Sequence, residues 1–226
     1  DFVFDSTVVD VFPDMIGRSV PGYWMGAEWI GMLSKRFVEP EGRVYDLGCS
    51  LGAISWGIFR HWGESCPEII AVDSSKPMLL QFQRNLNAVS EEPPFTLVHE
   101  DIRNTQVQNA SMVILNFTLQ FISPEDRLLL LSRIYKGLKP GGVLVLSEKR
   151  FGQSPDEERR LRDWHHDFKR SEGYSQNEIQ QKSDAIANVM PLDTPKQQKN
   201  RLLEAGFKNQ TQWFQCFNFS SVIAEK

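Results

Sequence analysis

The chain is poor in cysteine. Cys49, Cys66 and Cys216 are its only three. They are odd in number and far apart, so they form neither a disulfide framework nor the paired spacing of a zinc site. A reducing, cytoplasmic compartment fits that usage. No apolar run is long enough to span a bilayer, and no signal-peptide pattern is visible. The chain opens at Asp1, and a few trimmed N-terminal residues are expected. A broad basic field is also missing. Lys and Arg total 25 against 29 Asp and Glu, a net charge of −4, so a direct grip on nucleic acid is not expected. There are no internal repeats, low-complexity tracts, Ser–His–Asp constellation or phosphate-binding loop, and no metal is expected.

What is present suffices for a large core. The 226 residues are 41% hydrophobic and 24% charged. A chain of this size buries roughly 70% of its unfolded surface and needs no covalent or metal staple. A single domain over residues 1–226 is expected.

Its organisation reads as strand–helix alternation. An N-terminal extension over residues 1–40 holds an apolar anchor, Phe12-Pro-Asp-Met-Ile, a turn at Ser19–Tyr23, and helical spacing from Trp24 to Phe37. Strands are predicted at 43–47, 68–73, 95–99, 111–116 and 143–147. Helices are predicted at 53–59, 76–89 and 124–138, with Pro124 in a first turn and Gly137 near an end. Short apolar strands alternating with helices predict an α/β fold, a doubly wound, mostly parallel sheet. Past Phe151 a highly charged helix at 156–170 and a second helix at 175–189 read as a helical insertion or lid, residues 151–192. A helix from Pro195 to Glu204 ends at Gly206, and the tail supplies one or two closing strands.

The chemistry concentrates at the strand ends. Val44-Tyr-Asp-Leu-Gly-Cys-Ser-Leu-Gly52 runs from an apolar strand, past Asp46, whose carboxylate at the strand end can bind the cofactor by facing an amine or hydroxyl, through two glycines into a helix. Gly48 lets the backbone approach a nucleotide-like ligand without a Cβ in the way. Asp73 ends the second strand, where a carboxylate can accept both hydroxyls of a ribose. It can also serve as a turn or helix cap beside Ser74 and Ser75; the glycine turn upstream favours the ligand role. Asp101 can accept from an adenine amino group while Ile102 covers the ring; Glu100 reads as a plain loop acid. Asn116 can bind the ligand or close a turn, and Phe117 and Phe121 read as core. His165 and His166 are adjacent, so they point to different helix faces and read as solvated surface. Arg159, Arg160 and Arg162 are mixed with acids and read the same way.

Leu138-Lys-Pro-Gly-Gly-Val-Leu-Val-Leu146 resembles the fifth strand of class I S-adenosylmethionine (SAM) methyltransferases, as do the Asp-x-Gly turn and the acid ending strand two. Ser50 stands where that family usually has its second glycine. The resemblance implies a Rossmann-like sheet of seven strands with the last antiparallel. A narrower resemblance covers nearly the whole chain. Val11-Phe-Pro-Asp-Met-Ile, Arg18-Ser-Val-Pro-Gly-Tyr23, Leu115-Asn-Phe-Thr-Leu-Gln-Phe121, Leu146-Ser-Glu-Lys149, His165-His-Asp-Phe-Lys-Arg170 and Trp213-Phe-Gln-Cys-Phe-Asn-Phe219 look like the carboxy-S-adenosyl-L-methionine (carboxy-SAM) synthase family. That family converts SAM and prephenate to carboxy-SAM and phenylpyruvate, the methyl group of SAM capturing CO2. A partner enzyme then carries the carboxymethyl group to 5-hydroxyuridine at a tRNA wobble position. The resemblance implies a homodimer, with Trp24, Trp29 and Trp164 as interface candidates. It implies ligand contacts from Tyr23, Gly48, Cys49, Ser50, Asp73, Ser74, Asp101, Ile102 and Asn116, with Tyr23 covering the reacting end. The family's arginine that grips the added carboxylate is Ser183 here, beside Asp184. Lys182 or an arginine of the 159–162 cluster can compensate. The serine also leaves two other readings: an ordinary SAM-dependent methyltransferase acting on a small molecule, and a SAM-binding partner protein without turnover.

Overall fold

The computed structural model describes residues 6–187 and 189–226. Residues 1–5 of the expected extension and Asn188 of the expected insertion lie outside the described residues. The order is α1 (Ser6–Val9), α2 (Phe12–Ser19), α3 (Tyr23–Phe37), β1 (Arg43–Leu47), α4 (Ala53–Trp62), β2 (Glu68–Asp73), α5 (Lys76–Asn87), β3 (Phe95–His99), β4 (Ala110–Asn116), α6 (Pro124–Gly137), β5 (Leu138–Lys149), α7 (Pro155–Ser171), α8 (Gln176–Ala187), α9 (Pro195–Ala205), β6 (Asn209–Cys216) and β7 (Phe219–Glu225). Among the described residues no helix is long and apolar enough to cross a membrane.

The strands form one sheet in the order β3-β2-β1-β4-β5-β7-β6. β1 to β5 pair in parallel, and β7 runs antiparallel to both β5 and β6. The near-continuous apolar strands reflect burial on both faces. Along β4, Met112 and Ile114 face the layer that holds Ala27 and Ile30 of α3 with Ile54 and Ile58 of α4. Val113 and Leu115 face the opposite layer, with Leu130 and Ile134 of α6 and Leu202 of α9. Val143 and Val145 of β5 join the first layer, and Leu144 and Leu146 the second. A one-residue slip would exchange the two sets.

The strand order reverses between β1 and β4. That switch point leaves a crevice above the carboxyl ends of the strands, where open α/β sheets take their ligands. The elements outside the alternation close over it. Val9 and Phe12 of the N-terminal helices pack with Met78 of α5. The segment carrying α7 and α8 is tied at its ends: the Arg150 N–H donates to Asn218 O at 2.8 Å, and the Phe151 N–H to Asp193 O at 2.9 Å.

Some boundaries differ from the sequence expectation. The helix expected over 76–89 ends at Asn87, and the one expected over 175–189 ends at Ala187. The strand expected over 143–147 spans Leu138–Lys149. Its pairing with β4 begins at Ala110–Leu138, shifts, and resumes at Met112–Val143, so the strand absorbs the Pro-Gly-Gly turn as a bulge.

Candidate functional site

The crevice is a cavity of about 610 Å3. Its floor is the turn after β1. The Gly48 and Cys49 N–H groups both donate to Val72 O, at 2.8 and 3.0 Å, which pins the turn to the end of β2. Gly48 has φ +82° and Ser50 φ +50°, both left-handed. Asp73 clamps the same turn. Its Oδ2 accepts from the Ser50 N–H and its Oδ1 from the Ser75 N–H, each at 2.8 Å. The cap of α5 is the Ser75 hydroxyl, which accepts from the Met78 N–H. Asp73 therefore holds the loop and still lines the cavity, and a carboxylate has about four lone-pair sites. Burial pushes the Asp73 carboxyl above the usual carboxylate range, against the backbone hydrogen bonds it accepts.

The other expected residues divide into a lining set and a supporting set. Tyr23, Gly48, Ser50, Asp73, Ser74, Asp101, Ile102 and Asn116 line the cavity together. Asp46 is buried behind the turn. Its Oδ2 accepts from the Ser55 hydroxyl at 2.8 Å, and its carboxyl is pushed up to about 6 by burial, the Ser55 hydrogen bonds opposing and the Asp73 charge adding. Cys49 is buried, and burial pushes its thiol up. Asp101 is gripped by Arg103, whose Nη2 donates at 2.6 Å and whose N–H donates at 2.8 Å. That fork holds Asp101 below the usual carboxylate range and fixes its plane. Tyr23, the first residue of α3, sets its ring edge-on to Trp24 at 5.0 Å and near Phe117 at 6.2 Å. Burial, then the Asp46 charge, pushes its phenol up, so it stays protonated at neutral pH.

Comparison with known proteins agrees with this geometry. Residues 44–142 match the model of a methyltransferase domain. An O-methyltransferase family protein from Burkholderia thailandensis superposes with a TM-score of 0.70 at 14% identity, over 99% of this chain and 60% of that one, which shows the fold. Carboxy-S-adenosyl-L-methionine synthase of Vibrio vulnificus strain YJ016 is 53% identical over the whole of this chain and 92% of its own length. The synthase of Vibrio parahaemolyticus is 52% identical over the same shares. The chain belongs to the carboxy-SAM synthase family.

Within this synthase-family fold, three sequence expectations are corrected. His165 is not solvated surface: it is 3% exposed. Its Nε2 lies 2.8 Å from Ser19 O, and its ring meets Phe219 edge-on at 4.8 Å. The charged composition of α7 hides a buried stripe, Leu161, His165 and Lys169, spaced by four. That spacing is the signal that could have found it. Phe117 and Phe121 are cavity wall. Phe117 takes φ +60°, which turns it out of the strand and against Tyr23. Lys149 at the end of β5 and Lys169 also line the cavity, and the sequence reading passed over both.

Position 183 is elsewhere. Ser183 is exposed on α8 and does not line the cavity; the same helix and its continuation reach it through Ile186, Val189 and Met190. The Lys182 ammonium donates to the Tyr174 hydroxyl at 2.7 Å. Arg159 and Arg162 are exposed and face Asp156 and Asp163.

Proposed function

We propose that this chain binds SAM at the β1–β4 crevice and makes carboxy-SAM from SAM and prephenate, releasing phenylpyruvate, within one domain over residues 1–226. Relatives of more than 50% identity with that name support the reaction. The single structural observation that carries the reading is the common cavity of Tyr23, Ser50, Asp73, Asp101, Ile102 and Asn116. Asp73 accepts the ribose hydroxyls, Ser74 stands beside it, and Asp101 accepts from the adenine amino group while Ile102 covers the ring. Gly48, Ser50 and Asn116 receive the methionine end, with Cys49 and Asp46 behind them. Tyr23 covers the reacting end as a neutral donor.

SAM supplies a sulfonium that acidifies its methyl protons. The atoms balance: prephenate loses CO2 and the elements of hydroxide as its ring becomes aromatic, and the methyl proton lost to CO2 completes a water. The chain's task is to hold both partners and exclude solvent. The 1–40 extension and the 151–192 insertion do this as cover and lid. The product serves a tRNA wobble uridine through a partner enzyme, and the mixed-charge insertion makes no tRNA grip of its own. A cytoplasmic homodimer is part of the proposal. Trp24, Trp29 and Trp164 are 49%, 38% and 48% exposed, an excess of surface aromatics that suits an interface.

Ser183 favours one competitor, an ordinary methyltransferase. Mass spectrometry of the bound ligand, followed by incubation with SAM and prephenate, separates the two. A species heavier than SAM by one CO2 is expected. SAM or S-adenosylhomocysteine alone, with no carboxy-SAM formed from added prephenate, refutes the reading.

A further inference from the structure

One wall of the cavity is cationic, and none of the residues assigned above to SAM lies on it. Lys149 ends β5, two residues past Ser147, which pairs with Asn116. Lys169 lies on α7, one turn from His165. All three side chains line the cavity. Lys169 is buried, and Lys149 is half-buried. Among the described residues neither ammonium forms an ion pair; Lys149 Nζ merely faces the Phe219 ring at 5.8 Å. The nearby carboxylates are directed elsewhere. Glu148 takes a hydrogen bond from Gln198 at 2.9 Å, and Glu158 accepts from the Gly152 N–H at 2.6 Å. His165 adds no charge at neutral pH. Burial holds both lysines below their ordinary range; the Glu158 charge opposes this at Lys149, and the Lys149 and Lys182 charges add to it at Lys169.

A buried and a half-buried cation, neither of them ion-paired, are costly. Such an arrangement persists where a ligand supplies the missing charge. The neighbouring surface is apolar, from Phe219, Met190 and Phe121, and suits a hydrocarbon ring. We propose that Lys149 and Lys169 form the carboxylate subsite for the second substrate, an organic acid with a hydrocarbon body. This rests on the reading that such an acid is decarboxylated here. It places the charge that binds the acid on β5 and α7.

The test uses Lys149→Met, Lys169→Met and Lys169→Arg in the full chain. Three quantities are read: S-adenosylhomocysteine affinity by calorimetry, prephenate affinity of the S-adenosylhomocysteine complex, and the KM for prephenate in carboxy-SAM formation. Losing one charge-assisted contact is worth about ten-fold to a hundred-fold. Each methionine variant is therefore expected to weaken prephenate by at least about ten-fold. S-adenosylhomocysteine, which carries its own carboxylate, is expected to change by less than about three-fold, and Lys169→Arg to restore most of the loss. The melting temperature of ligand-free Lys169→Met is expected to rise, because an unpaired buried charge is gone; this also reports that the variant folds. Unchanged prephenate binding, or an equal loss of S-adenosylhomocysteine, overturns the subsite. A wild type that binds prephenate through these lysines but forms no carboxy-SAM overturns the reaction and leaves the subsite standing.

Discussion

Gly48→Ala is the sharpest probe of the turn after β1. Two costs can be read from its geometry. The backbone there has φ +82°, and an L-residue in the left-handed region costs about 1–2 kcal/mol. The added Cβ would also lie 2.3 Å from Thr118 Oγ1, 2.4 Å from its Cγ2 and 2.9 Å from its Cβ. Overpacking of that kind costs about 1–3 kcal/mol. The sum is about 2–5 kcal/mol. Thr118→Ala removes the two closest atoms and leaves the backbone cost untouched. The double variant Gly48→Ala/Thr118→Ala is therefore expected to recover about 1–2 kcal/mol relative to additivity. Urea unfolding of the ligand-free protein measures all four corners of the cycle. The turn also carries the Gly48 and Cys49 N–H bonds to Val72 O, so S-adenosylhomocysteine affinity is expected to fall with Gly48→Ala and to recover only in part in the double variant. A single-variant loss below about 0.5 kcal/mol, the scatter of ordinary surface changes, would refute the reasoning. So would a double variant with no coupling.

Two further perturbations test the elements that hold the cover in place. Arg127 is 1% exposed and donates to Ile122 O, Asp193 Oδ2, Gln120 O and Pro191 O at 2.9, 2.8, 3.1 and 2.6 Å. Arg127→Ala strips these acceptors at once and is expected to cost about 3–5 kcal/mol in chemical denaturation, with faster amide exchange at 189–194; a loss under about 1 kcal/mol would contradict it. His165 is held down to about 3, first by burial and then by the Lys149 charge, against the hydrogen bond to Ser19. The unfolded chain binds its proton near pH 6.5 and the folded one does not, so the stability His165 allows is complete above that pH and is lost as pH falls toward 3. Compared with His165→Gln, the wild type is expected to lose about 1.4 kcal/mol per pH unit below pH 6. The difference between the two proteins is the quantity to read, because Glu148, pushed up to about 7 by burial, contributes an opposite slope. A difference that stays flat from pH 7.5 to 4.5 would refute the assignment.

The parts legible in the sequence were those governed by local rules. Val113 and Leu115 alternate with Met112 and Ile114 because both faces of β4 are covered, and an unbroken apolar strand is what that burial requires. The glycine turn was legible because its left-handed backbone favours glycine, and Asp73 because an acid closing an apolar strand stands out in the sequence. His165 was misread because a pair of histidines in a charged helix was judged by its composition. Its burial depends on where Ser19 and Phe219, distant in the chain, come to rest. Phe117 was misread because its place is set by a left-handed backbone that no pattern of aromatics announces. Lys149 and Lys169 were passed over for a similar reason: lysine is expected at the surface, and only tertiary packing brings the end of β5 against α7.

The topology also sorts the charges of the cavity. Asp73 and Asp101 follow β2 and β3, on one side of the switch point, while Lys149 ends β5 on the other and Lys169 comes from α7. On the proposed reading, a ligand with a cationic sulfonium and an amine would meet acids and backbone on the β1–β3 side. The proposed anionic partner would meet two lysines on the β5 side. Interactions inside such a cavity are screened less than those at the surface, so on the proposed reading these groups contribute to the field that would order the two substrates. An exposed side chain such as Ser183 has less leverage on that field within this chain. The sheet thus does more than hold a cofactor. Its strand order places Asp73 and Asp101 on one side of the switch point and Lys149 on the other, and on the proposed reading the reacting methyl group would lie between them.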